Sequence, residues 1–380
     1  MNLHVHGGVD VHGAPLEIAI ASGHVVEPAS ERPADAPQLD ASGLTIAPGF
    51  LDLQVNGAGG VDVTAQPDRL GELGPLLARH GVTGFLPTVI TSSADARDGA
   101  LAALRSLTPA PGAVPLGLHF EGPMLSPTRP GAHPAHLLRA PSAELVAGWS
   151  RDAGVTMVTL APELPGALEA IAALRDRGVV VSLGHTEASG AEVDAAVAAG
   201  ASCVTHLFNA MSPPSAREPG AAAVALGGDD LVAGVIADGH HLDPRLLRTA
   251  WRALEPDRFL AVSDTTAALG LPDGPIQLGE QEAFLADGAV RLADGTLAGS
   301  AASLADCLRV LRATTGCSPA EAVATATTVP ARLIGDERRG RLDAGCRGDL
   351  VLLDLSDDRF DVIATVVAGE LVHDVRREEA

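Results

Sequence analysis

The stretch Val179–Asn209, VVVSLGHTEASGAEVDAAVAAGASCVTHLFN, carries the repeating unit of the fold. It opens with an apolar run, Val179–Leu183, turns through Gly184, His185 and Thr186, and enters an Ala-rich segment over 189–199 that Gly200 closes. A second apolar run, Ser202–Leu207, follows at once. An apolar run, a polar tip, a helical stretch and another run form a βα unit whose strands are buried on both faces.

Moving outward, apolar runs of the same kind stand at Thr45–Val55, Gly84–Ile90, Pro115–Phe120, Thr156–Leu160, Leu231–Ala237 and Phe259–Ser263, which makes eight in all. Helical patterns over 67–80, 95–107, 164–176 and 243–254 separate several of them, opened by Pro or Asp and closed by Gly. Eight near-continuous apolar strands, each followed by a helix, predict an α/β fold, a (β/α)8 TIM-like barrel, with a doubly wound open sheet as the competitor. Pro127, Pro130 and Pro134 lie in a longer connection expected to cross the barrel mouth. Gly270–Leu297 reads as a hairpin insertion, and helices near 302–315 and 319–334 complete the barrel. Residues 1–47 alternate as short strands, with a Pro/Ala/Asp loop near 28–38, and 341–380 return to β character. The expected organisation is a barrel over 48–340 inserted in a small β-sandwich built from 1–47 and 341–380.

The 380 residues carry a net charge of −22, so the summed field repels nucleic acid and anionic membrane surfaces. All 26 basic residues are arginine. Without lysine there is no Walker loop, no Schiff base and no carboxylated-lysine bridge between two metals. Cys203, Cys307, Cys317 and Cys346 show no CxxC spacing, which points to a reducing cytosol, and no leader or apolar span is apparent. A cytoplasmic protein is expected.

In a parallel barrel the chemistry collects where strands end. That filter returns Asp52, Gln54, Asn56, His119, Glu121, His185, His206, Asn209, Asp238, His240, His241 and Asp264. Glu121, His185 and His206 each follow a run directly, and two imidazoles with a carboxylate make an open catalytic zinc site. Water bound to such an ion ionises near pH ~7, with Asp264 placed as base and then acid. A lone strand-end histidine, by contrast, commonly satisfies loop carbonyls. His4-Val5-His6 is read as structural. Gly57-Ala58-Gly59-Gly60 lacks dinucleotide-binding spacing, Gly299–Ser303 is not a nucleophile elbow, and Trp149 and Trp251 are read as packing residues.

These residues sit in longer blocks: PGFLDLQVNG (48–57), HFEGP (119–123), GAHP (131–134), GHT (184–186), THLFNAM (205–211), REPG (217–220), ADGHH (237–241), SD (263–264) and LAGS (297–300). In that order they resemble the N-acetylglucosamine-6-phosphate deacetylase family of the amidohydrolase superfamily, over nearly the whole chain. The resemblance implies that Glu121, His185 and His206 hold the metal and that Asp264 is the general base and acid. It also implies that His133 polarises the acetamide carbonyl. Further substrate contacts are implied from Ala132, Asn209, Ala210, Arg217, Asp238, Gly239, His240, His241, Leu297, Ala298 and Gly299, with Arg217 and His241 on the phosphate.

Gln54 and Asn56 stand where many amidohydrolases place a His-x-His pair for a second metal. One divalent ion per site is therefore expected, Zn²⁺ first, with Fe²⁺ or another divalent ion compatible with the ligands. The implied reaction is hydrolysis of N-acetylglucosamine 6-phosphate to glucosamine 6-phosphate and acetate. The galacto epimer, another amidohydrolase activity and a sugar-phosphate sensor without catalysis are the alternatives. A small-molecule amino-sugar phosphate and a second copy in a homodimer are the partners the resemblance implies.

Overall fold

A computed structural model describes residues 1–27, 33–356 and 359–378, so part of the loop expected near 28–38 lies outside the described residues. The barrel strands are β1 (Phe50–Val55), β2 (Val82–Val89), β3 (Leu118–Glu121), β4 (Val155–Leu160), β5 (Val180–Leu183), β6 (Cys203–Val204), β7 (Val232–Ile236) and β8 (Phe259–Val262). Each pairs in parallel with the next. Their composition follows from two-sided burial. Leu53, Leu86, Met157, Cys203, Leu260 and Val262 meet in one cluster with Val329 and Ile334 of the helix Thr328–Leu333 and the residue after it. Neighbouring strand residues such as Phe85, Val158, Phe259 and Ala261 belong to a second cluster with helix residues including Ala170, Leu174, Leu247 and Leu308.

Between β8 and β1 the backbone ladder shrinks to one bridge, Val55 with Thr265, and two bonds into the Thr265 carbonyl, from Asn56 N–H at 2.7 Å and Gly57 N–H at 3.2 Å. The Asp52 carboxylate supplies the rest of the seam. It accepts the Ser263 N–H at 3.2 Å and the Ser263 hydroxyl at 2.5 Å. Burial pushes the Asp52 carboxyl up to about 6, against the pull of the Ser263 bonds.

Three expected runs are shorter or broken. Thr45–Val55 is two strands: Thr45–Pro48 belongs to the sheet of the termini, and Phe50–Val55 to the barrel. They part at Gly49, where a Cβ would collide with the Thr83 side chain. Pro115–Phe120 divides at Gly117, whose φ of +107° excludes other residues from its place against Thr156. Ser202–Leu207 keeps only Cys203–Val204 as strand, because the backbone turns left-handed at His206.

The termini build a separate eight-stranded sheet around Val5, Ile18, Ile20, Ile46, Leu350, Leu352 and Val366. Its centre is the antiparallel pair Thr45–Pro48 and Leu350–Asp354, which joins the two ends of the chain. The expected hairpin over Gly270–Leu297 is larger than a hairpin. Gly274–Leu278, Gln281–Ala286, Ala289–Arg291 and Leu297–Ser300 form a four-stranded antiparallel sheet. Its last strand is stitched to the end of β8: Ser300 N–H donates to the Asp264 carbonyl at 2.8 Å, and Thr266 N–H to the Ser300 carbonyl at 3.0 Å.

Candidate active site and metal centre

Glu121 ends β3, and His185 and His206 each lie two residues beyond β5 and β6. Barrel closure brings the three together from 64 and 85 residues away along the chain. His185 Nε2 is 3.2 Å from Glu121 Oε1, His206 Nε2 is 3.1 Å from the same oxygen, and the two Nε2 atoms are 3.0 Å apart. All three side chains are buried. The Nδ1–H of His185 donates to the Arg129 carbonyl at 3.0 Å, which leaves the Nε2 lone pair facing the other two ligands.

Three electron-pair donors converging in a buried site repel one another unless a cation sits among them. Ligand bonds of about 2.0–2.1 Å in a tetrahedron place ligand atoms roughly 3.3 Å apart. The observed triangle is close to that, so the residues fit a divalent ion. Among the described residues this is the single cluster of its kind. Burial would raise the Glu121 carboxyl, but the close approach of the His185 and His206 imidazoles outweighs it and holds the group well below the usual carboxylate range.

His185, His206 and Asp264 all have positive φ, at 50°, 31° and 51°. Left-handed backbone at a non-glycine residue costs about 1–2 kcal/mol, and here it turns each side chain off its strand direction into the mouth. Asp264, just past β8, is buried and accepts a 2.8 Å hydrogen bond from Asn56 Nδ2 on its Oδ1. Burial and the charge of Glu121 push its carboxyl up to about 7, inside the range where a general base works at neutral pH. Gln54 Nε2 reaches Glu121 Oε1 at 3.4 Å. The amides of Gln54 and Asn56, at the end of the first strand, thus turn toward the carboxylates of Glu121 and Asp264.

His133 comes from the Pro-rich connection. Thr91 N–H donates to its Nδ1 at 3.2 Å, so Nδ1 is the acceptor and the ring proton sits on Nε2, which lies 3.8 Å from Glu121 Oε2. Burial and the neighbouring His185 push His133 down to about 3, so it is a neutral Nε2–H donor at pH 7. His119 lies deeper, with Nε2 2.8 Å from Thr159 Oγ1, and burial lowers it to about 4. It belongs to a hydroxyl layer in which Thr205 Oγ1 is 2.7 Å from Thr159 Oγ1 and 2.5 Å from Ser182 Oγ. Isolated Ser and Thr within apolar runs carry no signal of such a layer in the sequence.

A cleft of about 350 Å³ opens over these groups, lined by Asn56, Glu121, Ala132, His133, His185, His206, Asn209, Ala210, His241, Asp264 and Leu297–Gly299. Most of the expected contacts therefore share one cavity. Asp238 acts on the loop: it accepts the His240 and His241 N–H groups at 2.9 Å and pairs with His241 Nδ1 at 2.7 Å. Gly239 provides the turn at φ +87°, and His240 is exposed. Arg217 is not brought to the cleft. It is exposed on a turn closed by backbone and hydroxyl bonds of 3.0–3.1 Å between Ser215 and Glu218. Arg129, Thr128, Leu278 and Thr296 also line the cavity and were not singled out by the strand-end filter, because they lie on long connections.

The other motifs meet ordinary partners. His4 Nδ1 lies 2.6 Å from Gln38 Oε1, Trp149 packs on Phe120 at 4.8 Å, and Ser303 caps the helix Leu304–Thr315. Gly57–Ala58 pairs with Val61–Asp62 in a small hairpin.

The amidohydrolase family profile matches residues 45–372, and the chain belongs to that family. It is 40% identical to N-acetylglucosamine-6-phosphate deacetylase of Homo sapiens, over 94% of this chain and 91% of the human one. It is similar to a solved mutant of the Mycobacterium smegmatis N-acetyl-D-glucosamine-6-phosphate deacetylase in complex with N-acetyl-D-glucosamine-6-phosphate. There the TM-score is 0.85 and the identity 36%, with 98% of this chain and 99% of that one covered. N-acetylgalactosamine-6-phosphate deacetylase of Shewanella sp. (strain ANA-3) is 35% identical over 90% of this chain and 87% of its own. The chain is an enzyme of the deacetylase branch of the amidohydrolases.

Proposed function

We propose that the chain removes the acetyl group of N-acetylglucosamine 6-phosphate, releasing glucosamine 6-phosphate and acetate. The supporting observation is the presence in one cleft of a three-ligand divalent-metal site, a buried carboxylate at Asp264 and a neutral imidazole donor at His133. Glu121, His185 and His206 would hold one ion, Zn²⁺ in this proposal, which acts as a Lewis acid and makes water acidic enough to attack an amide near neutral pH.

The chain's own groups do the remaining work. Asp264 takes a proton from the attacking water and returns it to the nitrogen of the departing amine. His133 Nε2–H donates to the acetamide oxygen, strengthening as negative charge develops there. Asn56 holds the Asp264 carboxylate in its working orientation through the 2.8 Å bond. His241, steadied by Asp238, belongs to the sugar-phosphate end of the site in this reading.

The test is acetate release from N-acetylglucosamine 6-phosphate, its galacto epimer and unphosphorylated N-acetylglucosamine, with metal counted per chain. Turnover of the gluco phosphate with about one metal per chain is the expected result, and Asp264→Asn should lower kcat about 10²–10⁴-fold while keeping the metal. Preference for the galacto epimer would change the substrate alone. Metal-loaded protein that releases no acetate from any of the three would overturn the proposal.

A further inference from the structure

A sugar phosphate entering this cleft brings a charge near −2 toward Glu121, Asp238 and Asp264, in a chain whose net charge is already −22. Arg217 stands on an exposed turn outside the cavity, and the His241 ring is engaged by Asp238. Among the described lining residues, the one guanidinium is that of Arg129.

Arg129 has the properties that a phosphate reader needs. Its Nε–H donates to Glu187 Oε1, and neither terminal nitrogen has a hydrogen-bond partner among the described residues, so four of the five N–H donors remain uncommitted. The ion pair with Glu187 is about one-third exposed on both sides, at 34% and 39%, and such pairs are weak enough to share with an incoming anion. A guanidinium fork matches phosphate oxygens two at a time.

The backbone around Arg129 is fixed to the metal centre. Its carbonyl accepts the His185 Nδ1–H at 3.0 Å, its N–H donates to the Ser126 carbonyl at 3.0 Å, and Ser126 N–H donates to the His185 carbonyl at 2.9 Å. One short loop therefore orients a metal ligand with its backbone and presents a cation with its side chain. We propose that Arg129 is the specificity-determining residue for the substrate phosphate within this chain, an assignment that rests on the deacetylase reading above. Grip on the phosphate then sets the distance from the phosphate to the acetamide, so that remote binding energy also serves orientation at the reacting amide.

The experiment compares Arg129→Ala and Arg129→Lys with wild type on phosphorylated and unphosphorylated N-acetylglucosamine, and measures inhibition by inorganic phosphate. For Arg129→Ala, the kcat/KM preference for the phosphorylated sugar should fall about 10- to 100-fold, and the phosphate inhibition constant should weaken by a similar factor. Arg129→Lys should recover part of both, since it restores charge without the fork. Equal losses on both sugars with an unchanged phosphate inhibition constant would show a loop tether and overturn the assignment. So would an unchanged preference. Where turnover of the unphosphorylated sugar is too slow to measure, the inhibition constant decides. Wild type that fails on the phosphorylated sugar refutes the deacetylase reading itself, whereas wild-type turnover with an indifferent Arg129→Ala refutes only the role of Arg129.

Discussion

His4 and His6 stand two residues apart on the strand Leu3–Val9, with rings 5.4 Å apart, while His185 and His206 are separated by 21 residues. By spacing alone the first pair is the better metal motif. In the sheet of the termini, His4 is buried and meets Gln38 at 2.6 Å and Glu17 at 3.4 Å, both of them hydrogen-bonding neighbours on adjoining strands or loops. At the barrel mouth the two Nε2 atoms and the Glu121 carboxylate converge within 3.0–3.2 Å. Equal depth at the ends of parallel strands brings candidate ligands together; proximity in sequence does not.

The largest effect should come from removing a member of the converging set. His185→Ala is expected to lose the bound metal and at least about 10³ of turnover, because the remaining two groups no longer close around an ion. His4→Ala should leave metal content and turnover at wild-type values and cost about 1–2 kcal/mol of folding stability for the lost partner of Gln38. Metal analysis together with urea unfolding on both variants checks the contrast. Loss of metal from the His4 variant would break it.

Much of this was legible in the sequence because burial on both faces writes an unmistakable run of apolar residues. The eight strands and the strand-end positions of Glu121, His185, His206 and Asp264 follow from that. The breaks at Gly49 and Gly117 were hidden, since each depends on a side chain of the neighbouring strand, Thr83 or Thr156. Nothing in the residue types foretells left-handed backbone at His185, His206 and Asp264. The partnership of Asn56 with Asp264 spans 208 residues and exists only because the barrel closes. The family resemblance makes Gln54 and Asn56 the reason to expect one metal per site; the structure adds that both amides turn toward Glu121 and Asp264.

That difference gives a second, smaller effect. The Asn56 amide donates to the Asp264 carboxylate, and such a bond favours the charged form, so removing it raises the pKa of the base. The base must be ionised to work, so activity climbs with pH through that pKa. Asn56→Ala is expected to move the acid limb of kcat/KM upward by roughly 1–2 pH units and to lower turnover at pH 7 about 10-fold, with metal content unchanged. An acid limb left in place would show that Asn56 only fills space.

The smallest effect on turnover, and the one that sharpens the contrast between mouth and scaffold, belongs to Asp52. It lies on the strand that Asn56 directly follows, yet its carboxylate faces Ser263 and serves the seam between the first and last strands. Its carboxyl is raised by burial from 3.8 to about 6. A carboxyl raised in the folded state binds its proton more tightly there than in the unfolded chain. Its stabilising share is therefore complete below about pH 4 and lost as pH rises through about 6, an effect on the order of 3 kcal/mol. Asp62, raised to about 6 by burial, adds in the same direction. Asp52→Asn keeps an acceptor for the Ser263 N–H but removes the titration, so the stability difference between pH 4.5 and pH 7 should shrink by about 2 kcal/mol relative to wild type. The metal count should stay at the wild-type value. Urea unfolding at the two pH values decides the matter: a pH difference as large as that of wild type would mean that the seam is held by the Val55–Thr265 backbone bridge, with the carboxylate a bystander.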